Sequence, residues 1–407
     1  MTDIPFIQSI KLTNFLSYGS SSDETKLKPL NVLIGPNLSG KSNLIEALSI
    51  LHSAPKDLAE PIREGGGIGE WIWKGGNNKN PITEIAVVLS NPIGTLSLRY
   101  GLSFTVVAQR LELTDEFLED KDKRNIREDD VYFYYRYDKG KPTLNVRDIN
   151  PSSASDGFKS IPRHLKREDL DLEQSVLSQR KDPDQYPELT YVGNQFSKIC
   201  LFREWNSGRY TAPRLPQKPD LPQDFLSESG NNLALVLNSL EHKSDTKKIL
   251  IDRLRQFNSN INDFTISIKG GTVQLFLHEK GLREPIPATR LSDGTLRYLC
   301  LLSILCHPTP PPVIGIEEPE LSLHPDAIKI VAELLKEASQ RTQLIVTTHS
   351  DSLVSDLSDS PDSVIVCERE QDGTVLKRLD PEVLKEWLKK YSLGMLWRMG
   401  ELGGNPQ

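Results

Sequence analysis

The sequence predicts an α/β fold, with mixed and parallel sheets built around a helix that follows a glycine-rich loop. Three observations predict it. The apolar run "LNVLIG" leads through "GPNLSGKS" into the helical stripe of "NLIEALSILH". The last third alternates apolar strands, "VIGIE", "QLIVTTH" and "SVIVCE", with the helix "HPDAIKIVAELLKEAS". That alternation implies parallel strands joined by right-handed crossovers. Between these regions, "ITEIAVVLS", "TLSLRYGLSFTVVA" and "VYFYYRYDKGKPTLNV" have the alternating character of antiparallel strands.

Taken in order, "FIQSIKLTNF" alternates and reads as a strand, and "LNVLIG" suits a strand buried on both faces. Leu44, Ile45, Leu48 and Leu51 fall on one helical stripe. Asp138, Lys139 and Gly140 mark a hairpin turn. Residues 151–260 change character. They are polar, rich in charge and proline, and hold short helical pieces: "REDLDLEQSVLSQ", "NNLALVLNSLE" and "TKKILIDRLRQF". No heptad is sustained, which excludes a long coiled coil. Residues 1–150 and 261–407 therefore read as two halves of one domain, and 151–260 as a mostly helical insert. "DFTISIKGGTVQLFLHE" returns to β structure, turning at Gly270 and Gly271, and Pro325 stands at the first position of the last long helix.

Composition narrows the classes. The chain has 407 residues, 37% of them hydrophobic, enough for a large core. A net charge of -7 excludes a uniformly basic nucleic-acid binder. Cys200, Cys300, Cys306 and Cys367 form no CxxC pair and no zinc spacing, and read as buried free thiols. "MTDIPFIQSI" lacks the basic and apolar regions of a signal peptide. The longest apolar run, residues 298–306, falls far below the roughly 18 residues that span a bilayer. The expectation is a cytoplasmic protein with no membrane segment.

Four stretches carry chemistry. "GPNLSGKS", residues 35–42, fits G-x-x-x-x-G-K-[ST] and sits between a buried strand and an amphipathic helix. Gly35 and Gly40 let the backbone curl through Pro36, so that N–H groups from Asn37 to Asn43 and the helix start converge on phosphate oxygens. Asn37, Ser39 and Asn43 join this cradle, Lys41 reaches the β- and γ-phosphates, and the Ser42 hydroxyl can ligate Mg²⁺. In "VIGIEEPELSLHP" a buried strand ends in two acids, where an α/β sheet presents ligands. Glu317 can hold Mg²⁺ and Glu318 can orient or deprotonate an attacking water. In "LIVTTHSD", His349 lies just past another buried strand, placed to hydrogen-bond a γ-phosphate. Finally, "RLSDGTLRY" sets the Ser292 hydroxyl and the Gly294 N–H ahead of a helix starting near Thr295, a second N-terminus suited to phosphate. One nucleotide needs one such loop. The redundancy disappears if two copies pack head to tail, each turn covering the ATP of the other.

"GPNLSGKS", "LSDGT", "IEEPELSLHP" and "TTHS", in this order, resemble the ABC-class ATPase heads of the RecF, SMC and overcoming-lysogenisation-defect (OLD) type. "IKLTNFLSYG" is similar to how such heads begin. The resemblance covers roughly 1–150 and 260–407 and is to a stand-alone family ATPase without a TOPRIM domain. It implies an ABC-ATPase head with a helical insert in place of a coiled-coil arm. It also implies Walker A at residues 35–42, a signature at residues 292–294, Walker B at Glu317, catalytic Glu318 and a switch histidine at His349. "ELSLH" would form the loop that contacts the opposite subunit. The sequence departs from the pattern in carrying Glu317 where aspartate is usual. It also has no glutamine between Leu44 and Ala108; Asn77, Asn78 or a water are the alternatives there.

The expected function is Mg²⁺-dependent ATP binding and hydrolysis in a head-to-tail homodimer. It would act as a conformational switch in DNA repair or anti-phage defence, with a nuclease or toxin effector on a separate polypeptide. The alternative is a non-hydrolytic, ATP-gated scaffold that holds such a partner. Two surfaces are candidates for output. Lys159, Arg163, Lys166 and Arg167 could form a basic strip for DNA, or, beside Glu168, Asp169 and Asp171, a mixed solvated face. Leu393, Met395, Leu396, Trp397 and Met399 either dock on their own head or form a partner-binding plug.

Overall fold

The structure, a computed structural model, describes residues 5–76, 81–125, 130–138, 141–147, 160–166 and 170–404. Asn77 and Asn78, the turn at Lys139 and Gly140, and Lys159, Arg167, Glu168 and Asp169 of the basic stretch lie outside the described residues. The chain forms two compact units. The first comprises Met1–Lys28, Gly35–Ile199 and Cys367–Lys377; the second comprises Pro29–Ile34, Cys200–Val366 and Arg378–Gln407.

In the first unit, β1 (Ile7–Thr13) and β2 (Thr25–Lys26) pair antiparallel. The chain passes through β3 (Leu30–Ile34), a strand of the second unit, to α1 (Lys41–Ser53). α2 (Glu60–Glu64) and α3 (Ile68–Trp71) follow. Six more strands complete an eight-stranded antiparallel sheet: β4 (Thr83–Leu89), β5 (Leu98–Val107), β6 (Arg110–Asp120), β7 (Phe133–Asp138), β8 (Lys141–Arg147) and β9 (Ser160–His164). Their order is β2-β1-β4-β5-β6-β7-β8-β9. The sheet core is Ile85, Leu89, Leu98, Tyr100, Leu102, Phe104 and Leu118. α1 is more deeply buried than a single stripe requires, since Ala47 and Ile50 are as inaccessible as Leu44, Ile45, Leu48 and Leu51.

The expected helix in "REDLDLEQSVLSQ" is nearly absent. Among the described residues of that stretch only α4 (Val176–Gln179) forms, followed by α5 (Pro187–Phe196). Local polar bonds displace it. Asp171 turns its carboxylate to the Glu173 N–H at 2.9 Å, the Leu172 carbonyl accepts from Leu113 N, and Ser175 caps α4 at Leu177 N. Strand β6 also lies in a stretch too acidic to announce itself, with Glu116, Glu119 and Asp120 buried.

The second unit holds the parallel sheet. β10 (Cys200–Phe202), α6 (Leu233–Glu241) and α7 (Ser244–Phe257) precede the hairpin of β11 (Ile261–Lys269) and β12 (Thr272–Glu279). The hairpin turns at Gly270 and Gly271, both at positive φ as its handedness demands, and β13 (Ile286–Pro287) pairs with β12. Then come α8 (Asp293–Leu305), β14 (Val313–Glu317), α9 (Pro325–Ala338), β15 (Gln343–Thr347), α10 (Asp351–Ser355) and β16 (Val364–Glu370). From Cys367 the chain runs in the first unit through most of β17 (Gly373–Arg378), and α11 (Pro381–Leu388) and α12 (Leu393–Met399) follow in the second. β10, β14, β15, β3 and the first residues of β16 are parallel neighbours in that order.

β14 and β15 are buried along their lengths, apart from Glu317 at the tip. A strand buried on both faces is apolar along its middle, and these are, with polar residues only at the ends: Glu317 in β14, Gln343 and Thr347 in β15. The C-terminal cluster docks on its own unit. Leu393, Leu396 and Trp397 are fully buried, while Met395 and Met399 stay exposed. None of the four cysteines forms a disulfide; three are buried and Cys200 is half-buried. Among the described residues, no helix is long and apolar enough to cross a membrane.

Candidate functional site

The glycine-rich loop lies in the first unit, between the last residue of β3 and the first of α1. Gly35 has φ 151 and Gly40 φ 97. A Cβ on Gly40 would lie 2.4 Å from both Ser17 Oγ and Thr374 Oγ1, so only glycine fits. The Lys41 ammonium, almost buried, donates to the carbonyls of Gly35 at 2.8 Å and Pro36 at 2.9 Å and closes the loop on itself. Ser39 Oγ is buried and, among the described residues, has no hydrogen-bond partner. Pro36 is half-buried, and Asn37 and Ser42 are exposed. Asn43 turns back to donate to Ser17 Oγ at 2.7 Å. An inward-curled backbone, an enclosed ammonium and an orphaned hydroxyl at a helix start fit a polyphosphate.

The loop is braced from behind by Ser17 and Tyr18, at the end of "IKLTNFLSYG", and by Thr374, outside any motif. The Thr374 hydroxyl lies 2.7 Å from Ser17 Oγ and donates to the Ser39 carbonyl at 2.9 Å. Tyr18 donates to the Gly40 carbonyl at 3.2 Å.

The acids and the histidine lie in the second unit, at the tips of two paired parallel strands. Glu317 ends β14 opposite Thr347 of β15. Glu318 has φ 44, a left-handed conformation that costs a side-chain-bearing residue free energy. Its N–H donates to the Thr347 carbonyl at 2.9 Å. His349 Nε2 stands 3.8 Å from Glu318 Oε1, with both side chains about one-third exposed. Beneath them Glu320, which sequence reasoning passed over, accepts from the Thr348 hydroxyl at 2.6 Å and the His349 N–H at 3.0 Å. Burial pushes its carboxyl above the usual range. The third acid of "EEPE" was the available signal.

The turn at residues 290–295 also belongs to the second unit. The helix starts two residues earlier than expected, so Gly294 lies within the first turn of α8 and Ser292 is its N-cap. The exposed Ser292 Oγ accepts from Thr295 N at 3.0 Å. A Cβ on Gly294 would lie 2.6 Å from the Ser322 carbonyl, in the loop that follows the acids. Asp293 accepts from Gly208 N at 3.2 Å and from Arg214, and the Gly208 bond leads in holding its carboxyl below the usual range. The structure thus brings Glu318 and His349 together, and seats the Gly294 turn against the loop after Glu318.

A family model described as "AAA domain, putative AbiEii toxin, Type IV TA system" matches residues 30–355. Among curated relatives, the "Old nuclease" of Escherichia phage P2 is 23% identical over 427 aligned residues, covering 95% of this chain and 63% of the phage protein. The chain therefore spans less than two thirds of that relative. An "ATP/GTP phosphatase" of Helicobacter pylori is 21% identical, with 91% of this chain and 95% of that protein covered. Among solved structures, an Smc head bound to the C-winged helix domain of ScpA superposes with a TM-score of 0.58 at 15% identity, covering 93% of this chain and 99% of the other. An Smc head with an extended coiled coil, bound to the C-terminal domain of ScpA from Pyrococcus furiosus, gives 0.55 at 14% identity, with 95% and 99% covered. The fold is that of an ABC-class, SMC-type ATPase head.

Proposed function

The chain belongs to this AAA-domain family, and on that premise we propose that it binds and hydrolyses ATP in a head-to-tail homodimer that serves as a conformational switch. The observation that carries the reading is the 3.8 Å approach of His349 to Glu318 at the tips of adjacent parallel strands. Residues 35–43 hold the phosphates. Glu318 takes the proton of the attacking water, and His349, beside it, positions that water against the γ-phosphate. Ser42 and Glu317 are the residues assigned to Mg²⁺, which supplies charge neutralisation on the phosphate oxygens. Ser292 and the N-terminus of α8 serve the nucleotide of the second copy. The exposure of Ser292 supports that assignment.

The phage relative named a nuclease and the family description naming a toxin support a place in DNA repair or anti-phage defence, with a separate effector. DNA contact through the 151–260 insert rests on Arg163 and Lys166, both exposed. Glu317, standing where aspartate is usual, favours a second reading, an ATP-gated scaffold without turnover. Mg²⁺-dependent phosphate release separates the two.

The shared site is tested by Ser292→Arg. A group supplied in trans to phosphoryl transfer is worth about 10³–10⁵ in rate. The variant should bind ATP as the wild type does and lose turnover. It also removes an N-cap worth ~1 kcal/mol, so thermal unfolding is followed alongside. A folded variant that releases phosphate at the wild-type rate would end the shared-site reading.

A further inference from the structure

The peptide unit that joins Glu317 to Glu318 is gripped on both sides. Its N–H donates to the Thr347 carbonyl at 2.9 Å. Its carbonyl accepts from the indole Nε1 of Trp205 at 2.7 Å. Trp205 belongs to none of the sequence motifs. It stands three residues past the end of β10, stacked on Phe202 with ring centroids 6.1 Å apart and planes 22° apart.

The indole is also met by α8. The Arg297 guanidinium lies 4.7 Å from the ring centroid, a cation over an aromatic face. Arg297 is only 6% exposed, and it donates to the Leu321 carbonyl and, at 3.4 Å, to the Trp205 carbonyl. The same loop then clasps the first turn of α8. Gly208 N and Arg214 bind the Asp293 carboxylate, and Arg214 Nε donates to the Gly208 carbonyl at 3.0 Å. Trp205 is thus fixed by one helix while it holds one peptide of the acid strand.

That peptide matters because Glu318 sits at φ 44. A residue in this region stays there only where its surroundings over-determine it. Turning the Glu317–Glu318 peptide would swing the Glu318 carboxylate away from His349. The hydrogen bonds to Thr347 and Trp205 resist this rotation.

We propose that Trp205 is a positioning residue for Glu318: its indole N–H locks the Glu317–Glu318 peptide and ties its orientation to the first turn of α8. The proposal rests on the ATPase reading for its kinetic consequence. Its structural consequence is independent of that reading.

The test is Trp205→Phe, which keeps the stack on Phe202 and the aromatic face under Arg297 and deletes the N–H. Losing one hydrogen bond of this kind should lower kcat about five- to tenfold at unchanged KM for ATP. In nucleotide-free protein, hydrogen exchange across residues 316–321 should quicken by a similar factor, with only a small fall in the thermal midpoint. Trp205→Leu serves as the packing control and should lower the midpoint. A Trp205→Phe protein with wild-type exchange in that segment overturns the proposal, even where phosphate release stands. Wild-type protein that releases no phosphate overturns the ATPase reading instead, and the exchange measurement still decides on the clamp. A role in packing alone would leave both readouts of Trp205→Phe at wild-type values.

Discussion

Glu116 is a carboxyl group with no route to water. It is 2% exposed, on β6, and takes hydrogen bonds from Tyr100 Oη at 2.8 Å, from the Ser175 hydroxyl, and from Val176 N at 2.8 Å. Three donors favour the ionised form, but the loss of hydration outweighs them and pushes the pKa from 4.5 to about 7. A group whose folded pKa is raised keeps its proton in the folded chain after the unfolded chain has lost its own. Its stabilisation is complete below the unfolded pKa and is lost as pH rises through the folded one. Between pH 4.5 and about 7, Glu116 should therefore cost about 1.4 kcal/mol of stability per pH unit, with no further loss above that window. Glu116→Gln keeps the shape, can accept from Val176 N, and can donate to the hydroxyls, which are free to rotate. Urea unfolding of both proteins at pH 5, 6, 7 and 8 should show their stabilities diverging in favour of glutamine as pH rises. Parallel curves would mean that Glu116 is ionised throughout.

At the scale of elements, the phosphate loop is held by pieces distant in sequence. Thr374 reaches Ser17 across 357 positions and Ser39 across 335. Thr374→Val preserves the volume that fills the space beside Gly40 and removes the hydroxyl that donates to Ser39. Deleting that bond should raise the dissociation constant for ATP about fivefold. Titration with a fluorescent ATP analogue measures it, and an unchanged constant would mean the brace does nothing for the nucleotide. This long reach also explains what the sequence conceals. β3, β14 and β15 are legible because strands buried on both faces are mostly apolar runs, broken here only by Asn31 and by polar residues at the strand ends, and α9 because Pro325 marks its start. The order of Lys41, Ser292, Glu318 and His349 is legible because each sits in a short local pattern. The role of the brace is not, although Ser17 and Tyr18 lie in "IKLTNFLSYG", because serine, tyrosine and threonine acquire that role only through contacts the fold creates. β6 is hidden for another reason. Two of its buried acids find partners outside the strand, Glu119 with Arg136 of β7 at 2.9 Å and Asp120 with Tyr134 of β7 and with Arg124 just past β6, and no alternation records such partners in advance. The helix expected before Gln179 fails because its Asp and Ser residues bond to nearby backbone instead.

At the scale of the whole molecule, the head-to-tail dimer makes a prediction about mass. In the proposed cycle, ATP closes two copies and hydrolysis releases them, so a protein that binds but cannot hydrolyse should stay closed. Glu318→Gln removes the base and keeps the side chain's length. A glutamine beside His349, where the pair now lies 3.8 Å apart, introduces no new charge and leaves residues 35–43 untouched. With ATP and Mg²⁺ the variant should elute with twice the 45.8 kDa of one chain when size exclusion is coupled to light scattering. It should return to the single-chain mass when ATP is withheld. Adding Ser292→Arg should abolish the doubling, since the closed state depends on each copy's turn reaching the other's nucleotide. If Glu318→Gln binds ATP and remains a single chain, the second phosphate-suited N-terminus has no partner to serve. Exposed Ser292 would then be a helix cap and nothing more.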